Sequence, residues 1–295
     1  MNASEFLVFI EKKGTLILDG ATGTNLQMRG LPIGTAPESW VLDQPHKIQA
    51  LHADFLRAGS DILLTCTFGG TRLRLAHAGL DEKIHEVNSN AVKLVLQAAA
   101  GKEVLVGGSM GPTGEMMLPY GTLSEEDAYA AYHQQAEILL AAGVDLLVIE
   151  TQFDLQEATL AVKAVRDLHA NIALVCSFSY DRGMRTMMGV KPEQMAETFN
   201  PLEVTVLGIN CGKSLHENLT VLKTLQANTD KPIWFKPNAG MPQTAPDGSL
   251  FYDVTPEQMG QYAKEWKAAG ARLIGGCCGT SPQHLAEIAK IGKLM

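Results

Sequence analysis

Short apolar runs and longer amphipathic stretches alternate from one end of the sequence to the other. The runs are TLIL (15–18), ILLTCTF (62–68), VLVGGS (104–109), DLLVIE (145–150), IALVCSF (172–178), VTVLGIN (204–210), PIWFKP (232–237) and RLIGGC (272–277). They are rich in Val, Ile and Leu and mostly apolar on both faces, the pattern of strands in a covered parallel sheet. Between them the pattern predicts helices at roughly 45–58, 82–99, 124–142, 155–169, 191–199, 214–227, 255–269 and 281–292.

Start and stop signals support these elements. Ser124-Glu125-Glu126-Asp127 puts a cap and acids at a helix start, and Gly143 follows its last apolar turn. Thr255-Pro256 and Ser281-Pro282 each set a cap before a proline at the first helical position, while Gly59 and Gly270 end helices just before strands. Eight strand–helix units without a proline-rich linker predict a single α/β domain over residues 1–295, a (β/α)₈ barrel. The competing fold is an open doubly wound sheet, and no G-x-G-x-x-G follows the first strand to support it.

Composition narrows the function. Across 295 residues, 24 Lys and Arg stand against 32 Asp and Glu, a formal charge of −8, with no basic run to follow a phosphate backbone. Nucleic acid is therefore not an expected partner. No stretch approaches the ~18–20 apolar residues of a membrane span, and MNASEFLVFIEKKG lacks the cleavage site of a secretory signal. Five cysteines, an odd number in a long chain, point to a reducing compartment rather than a disulfide framework. A cytoplasmic protein is expected.

In a barrel of this kind the chemistry lies at the C-terminal ends of the strands. The polar residues there are Asp19, Thr65, Thr67, Ser109, Glu150, Ser177, Asn210, Cys211, Asn238, Cys277 and Cys278. Cys66 and Cys176 lie within strands and read as small apolar core residues. Cys277 and Cys278 are flanked by Gly275-Gly276 and Gly279. Neighbouring strand residues face opposite ways, so both thiols reach one ion only where the strand breaks into a tight glycine turn. With Cys211 they supply three soft ligands suited to zinc, leaving a fourth position for substrate.

DGATGTNLQ (19–27), TCTFGG (65–70), SMGPTGE (109–115), VIET (148–151), GINC (208–211), KPNAG (236–240) and GGCCGT (275–280) resemble, in order, the motifs of the zinc-dependent homocysteine S-methyltransferase family. TFGG and GPTGE are most similar to the homocysteine-binding module of cobalamin-dependent methionine synthase. The resemblance implies a (β/α)₈ barrel, zinc on Cys211, Cys277 and Cys278, and homocysteine as methyl acceptor. It also implies that Asp19 and Glu150 contact homocysteine, holding its α-ammonium. The turn at Ala21 and Thr22 can offer backbone N–H groups to the α-carboxylate, with Thr67 and Asn238 in wall or supporting roles. Zinc strips the proton from a bound thiol, and displacement at an activated methyl group then requires no protein nucleophile.

Other readings stay open at this point. One is a phosphate-binding barrel, which leaves Cys211 unexplained; another is a non-catalytic zinc-stabilised thiol-binding module, which would want a fourth protein ligand. A cysteine hydrolase needs a histidine at the rim, and none of the eight ends a strand. Lys236 stands in KPNAG where related sequences vary, which keeps another small thiol open as acceptor. No segment resembles a folate or corrinoid domain and Met295 follows soon after the last helix, so the donor is a small methyl compound or methylcobalamin on a separate corrinoid protein, unless the chain is a module of a longer one. Asp167-Leu168-His169 begins like a corrinoid-binding motif but has Ile172 in place of its glycine, so His169 reads as a helix-terminal residue. Met184, Met187 and Met188 read equally as an adaptable wall or as loop packing, and His85 and His133 as ordinary helix residues.

Overall fold

A computed structural model of the chain describes residues 1–244 and 250–290. Its strands are β1 (Leu16–Ile17), β2 (Ile62–Leu64), β3 (Leu105–Met110), β4 (Leu146–Gln152), β5 (Ala173–Phe178), β6 (Val206–Cys211), β7 (Ile233–Pro237), β8 (Pro242–Thr244), β9 (Leu250–Tyr252) and β10 (Ala271–Ile274). Eight of them pair in parallel in the order β1-β10-β7-β6-β5-β4-β3-β2, while β8 and β9 form a separate antiparallel hairpin. Between β1 and β2 the ring closes through a single bridge, Leu18 to Ile62. Two carboxylates stitch the same seam: Asp61 Oδ2 accepts the Ile17 N–H and Asp19 Oδ2 the Leu64 N–H, each at 2.8 Å. The expected (β/α)₈ barrel is the observed fold.

Alternation along each strand builds two apolar layers. Leu16, Leu18, Ile62, Leu64, Leu146, Val148, Val175, Val206 and Trp234 pack inside the barrel. Ile17, Leu63, Leu147, Ile149, Leu174, Leu207 and Phe235 pack outward, with Cys66 and Cys176, against the helices. Gly208 makes room within: a Cβ there would meet Ser177 and Trp234 Cβ atoms at 2.9 and 3.0 Å.

The helices are α1 (Ala3–Lys13), α2 (Thr22–Met28), α3 (Ser39–Asp43), α4 (Pro45–Ala58), α5 (Arg72–Ala76), α6 (Ile84–Ala99), α7 (Glu125–Ala142), α8 (Leu155–Leu168), α9 (Pro192–Phe199), α10 (Leu215–Gln226), α11 (Pro256–Ala268) and α12 (Pro282–Ala289). Most of the expected caps are present: Ser124 accepts from the Asp127 N–H, Thr255 from that of Gln258, and Gly59 and Gly143 are left-handed C-caps; Ser281 starts α12 without a side-chain cap bond, and Ala269 caps α11 one residue before Gly270. Positions 291 and 292 of the last expected helix, and Met295, lie outside the described residues.

Four helices come as additions to the expected set. FLVFI belongs to α1, whose Phe6 and Ile10 join the interior layer and plug the end of the barrel opposite the strand C-termini. α2, α3 and α5 lie in the connections that follow β1 and β2, so Ala21–Thr24 is the cap and first turn of a helix rather than an open turn. No helix among the described residues is long and apolar enough to cross a membrane.

Candidate active site

The parity that fills the barrel interior also builds its polar floor. Two residues beyond Val148 comes Glu150, beyond Val175 Ser177, beyond Gly208 Asn210 and beyond Trp234 Lys236. All four are buried, along with Ser109 and Asp19. Above them opens a cavity of about 830 Å³ lined by Asp19, Thr22, Glu38, Thr65, Arg74, Ser109, Glu150, Lys236 and the three rim cysteines, among others.

Cys211 has the opposite parity and reaches the cavity because the chain turns there. Its φ is +58° and that of Gly212 +79°, both left-handed. Such a conformation costs a non-glycine residue on the order of 1–3 kcal/mol and persists here under several constraints. Asn218 Nδ2 donates to the Cys211 carbonyl at 2.7 Å, and Asn210 accepts from Ser177 Oγ and the Thr151 N–H. Cys277 and Cys278 follow β10 in a turn that ends at Gly279, φ +79°, where a Cβ would strike Tyr252.

These turns bring the three sulfurs together. All three Sγ atoms lie within 4.8 Å of one another, and Cys211 and Cys277 are 2.9 Å apart. Hydrogen bonds from Cys211 and Cys277 hold the Cys278 thiol well below its ordinary value, while the bonds of Cys211 to Cys277 and then to Cys278 hold Cys211 well above its own. A cluster that already concentrates negative charge on sulfur fits a soft divalent cation, which replaces the shared protons. Among the described residues it is the one group of cysteine, histidine or acidic side chains spaced to hold a metal.

Residues 16–291 match homocysteine S-methyltransferase. The chain belongs to the homocysteine S-methyltransferase family. Three solved structures of the homocysteine methyltransferase MmuM from Escherichia coli are similar to it along nearly the whole length. The metallated form is 28% identical, with a TM-score of 0.82 over 98% of this chain and 100% of that one. For the oxidised form the values are 28% and 0.82 over 99% and 100%, and for the apo form 27% and 0.76 over the same shares.

As a member of the homocysteine S-methyltransferase family, the chain carries its expected site residues in two groups. Glu150 lines the cavity and accepts the Ser109 hydroxyl at 2.6 Å. Burial raises its carboxyl to about 7, against the lowering pull of Lys236. Asp19 also lines it, but Lys236 Nζ donates to Oδ1 at 2.5 Å while Leu64 occupies Oδ2. Burial works against the charge on Lys236, yet Asp19 and Glu150 outweigh it and its ammonium is held above the ordinary value. Ala21 and Thr22 line the cavity, although the Ala21 N–H is already given to the Thr280 carbonyl at 3.2 Å.

Thr67 and Asn238 form the second group, behind the lining. Thr67 Oγ1 donates to the Ser109 carbonyl, and of the two threonines after β2 it is Thr65 that lines the cavity. Asn238 gives Nδ2 to the Gly212 carbonyl and takes the Cys278 N–H on Oδ1, so it ties the two cysteine turns together. Ser109 and Lys236 were legible as inward positions of their strands. Glu38, which caps the start of α3 and takes the Gly69 N–H, and Arg74 of α5 reach the wall without any sequence signal. His169 caps the end of α8, and Met184 and Met187 lie half-exposed in the β5–α9 loop.

Proposed function

We propose that this protein transfers a methyl group to the thiolate of homocysteine, giving methionine, with zinc on Cys211, Cys277 and Cys278 and a methyl-corrinoid protein as donor. The observation that carries this reading is the convergence of three cysteine sulfurs, from two strands, at the mouth of one polar cavity. Zinc bound there would supply a Lewis-acidic centre that holds the acceptor sulfur deprotonated at neutral pH.

The chain's own groups do the rest. Glu150 takes the α-ammonium, whose charge favours the ionised carboxylate and offsets its burial. The first turn of α2 at Thr22 and Gly23 borders the same cavity and can add backbone N–H groups to the side of the site that takes the carboxylate. Asp19 acts through Lys236, and Asn210 and Asn238 fix the turns that carry the thiols. The transfer is a displacement in which a sulfur lone pair forms the S–CH₃ bond. The bond from methyl to donor breaks, and its electron pair leaves with the donor. No side chain needs to form a covalent intermediate.

The test is a donor screen on zinc-loaded protein with homocysteine, comparing methylcobalamin, methyl-corrinoid protein, S-methylmethionine and betaine. Methionine should form with the corrinoid donors and not after removal of the metal. Methionine formed from S-methylmethionine or betaine alone would overturn the donor assignment. No methionine from any donor, or equal methylation of mercaptoethanol, would overturn the acceptor assignment.

A further inference from the structure

Lys236 lines the cavity and makes one hydrogen bond among the described residues, to Asp19 Oδ1 at 2.5 Å. An ammonium carries three donors, so two remain for what enters. Its Nζ also stands over the Trp234 ring, 5.8 Å from the centroid, which belongs to the interior apolar layer. Asp19 has little to offer an incoming cation, since its second oxygen takes the Leu64 N–H and the pair is only 1% and 3% exposed. The Asp19–Lys236 pair is neutral as a whole, and its donor-rich end needs an acceptor. Among the described residues, Glu150 and Glu38 each keep one oxygen uncommitted, beside Ser109 and the Gly69 N–H, and Glu150 is the one near enough to Lys236 for each to feel the other's charge.

Building on the acceptor reading above, we propose that Lys236 is a specificity-determining residue whose ammonium binds the acceptor's α-carboxylate while Glu150 binds its α-ammonium. The cavity is then matched to a zwitterionic amino-acid thiol. Asp19 becomes a positioning residue that keeps the Lys236 ammonium charged and aimed.

Calorimetric titration without any methyl donor tests this, on zinc-loaded wild type, Lys236→Gln and Lys236→Arg. The probes are homocysteine, 3-aminopropanethiol, which lacks the carboxylate, and 4-mercaptobutanoate, which lacks the ammonium. Lys236→Gln should weaken homocysteine and 4-mercaptobutanoate about ten- to hundredfold, the range of a charge-assisted hydrogen bond. It should leave 3-aminopropanethiol unchanged or tighter, because Asp19 is released, and Lys236→Arg should retain part of the lost affinity. Should Lys236→Gln fail to fold around an unpaired Asp19, the double variant Asp19→Asn/Lys236→Met removes both charges and should show the same loss of carboxylate-bearing thiols. An equal loss for all three thiols, or a loss confined to 3-aminopropanethiol, overturns the assignment of Lys236. Wild type that binds none of the three overturns the acceptor reading instead.

Discussion

Asn238 holds Cys278 by its backbone, accepting the Cys278 N–H at 3.0 Å while its own amide donates to Gly212 beside Cys211. One side chain thus spans both turns that carry the sulfurs. Replacing Cys211, Cys277 or Cys278 by serine should remove most of the zinc and leave the barrel folded, since its core lies elsewhere. Asn238→Ala should weaken zinc binding with all three thiols intact. Metal analysis with circular dichroism checks both, and full zinc content in Cys277→Ser, or its loss in Cys66→Ser, would contradict the ligand set.

Homocysteine binding should release about one proton or more at neutral pH. A free thiol titrates near ~8.5 and is bound as thiolate, and Glu150, raised to about 7, adds its share as the ammonium arrives. Calorimetry in buffers of different ionisation enthalpy reads the stoichiometry. A value near zero means that the sulfur does not reach the metal.

Glu150→Gln should weaken homocysteine binding by roughly ten- to hundredfold, the scale of a charge-assisted hydrogen bond. Zinc content should stay at the wild-type level, and mercaptoethanol, which has no ammonium, should bind both proteins alike. Unchanged homocysteine affinity would make the carboxylate structural.

Acid should destabilise the fold through His52. This α4 residue is fully buried with neither ring nitrogen partnered among the described residues, and burial pushes it down to about 4. The unfolded chain takes a proton near pH 6.5 that the folded one refuses, so the stability His52 permits is complete above that pH and falls toward 4. The loss between pH 7.5 and 5 is about 2 kcal/mol. Thermal melts should show His52→Leu losing less than wild type over that interval, and parallel curves would exclude the effect.

Phe6→Ala should cost about 3–5 kcal/mol, as for other buried aromatic truncations, because Phe6 joins the interior layer of the barrel. The denaturation midpoint measures it, and zinc content should not change.

The barrel was legible because short apolar runs followed by longer amphipathic stretches are local signals, and the unit repeats eight times along the chain. Period two carries further than the strands themselves, for it also places Glu150, Asn210 and Lys236 inside the rim. The three cysteines were legible because glycine marks where Cys277 and Cys278 leave the strand. The pairing of Lys236 with Asp19 was not, since the partners are 217 positions apart and no spacing rule links them. Thr67 and Asn238 were expected in wall or supporting roles and stand behind the lining, because which way a side chain points after a strand ends is set by hydrogen bonds made on folding. α1 was missed although Asn2 and Glu5 form a capping box, Lys12 and Lys13 fill the last turn and Gly14 ends it; the five consecutive apolar residues of FLVFI mask the face that Phe6 and Ile10, four apart, bury in the barrel end.

The seam between β1 and β2 has a consequence for motion. Elsewhere around the ring successive strand-to-strand hydrogen bonds share the strain of opening, whereas here one bridge, the Asp61 N–H on the Ile17 carbonyl, the Ser60 hydroxyl on the Leu18 carbonyl and two carboxylate stitches bear it. Amide exchange at Ile17 and Leu64 is therefore the natural gauge of the first local opening of the barrel. Because Asp19 is one of the stitches and holds Lys236 through its other oxygen, the carboxylate that guards the seam is the same one that sets the cavity wall.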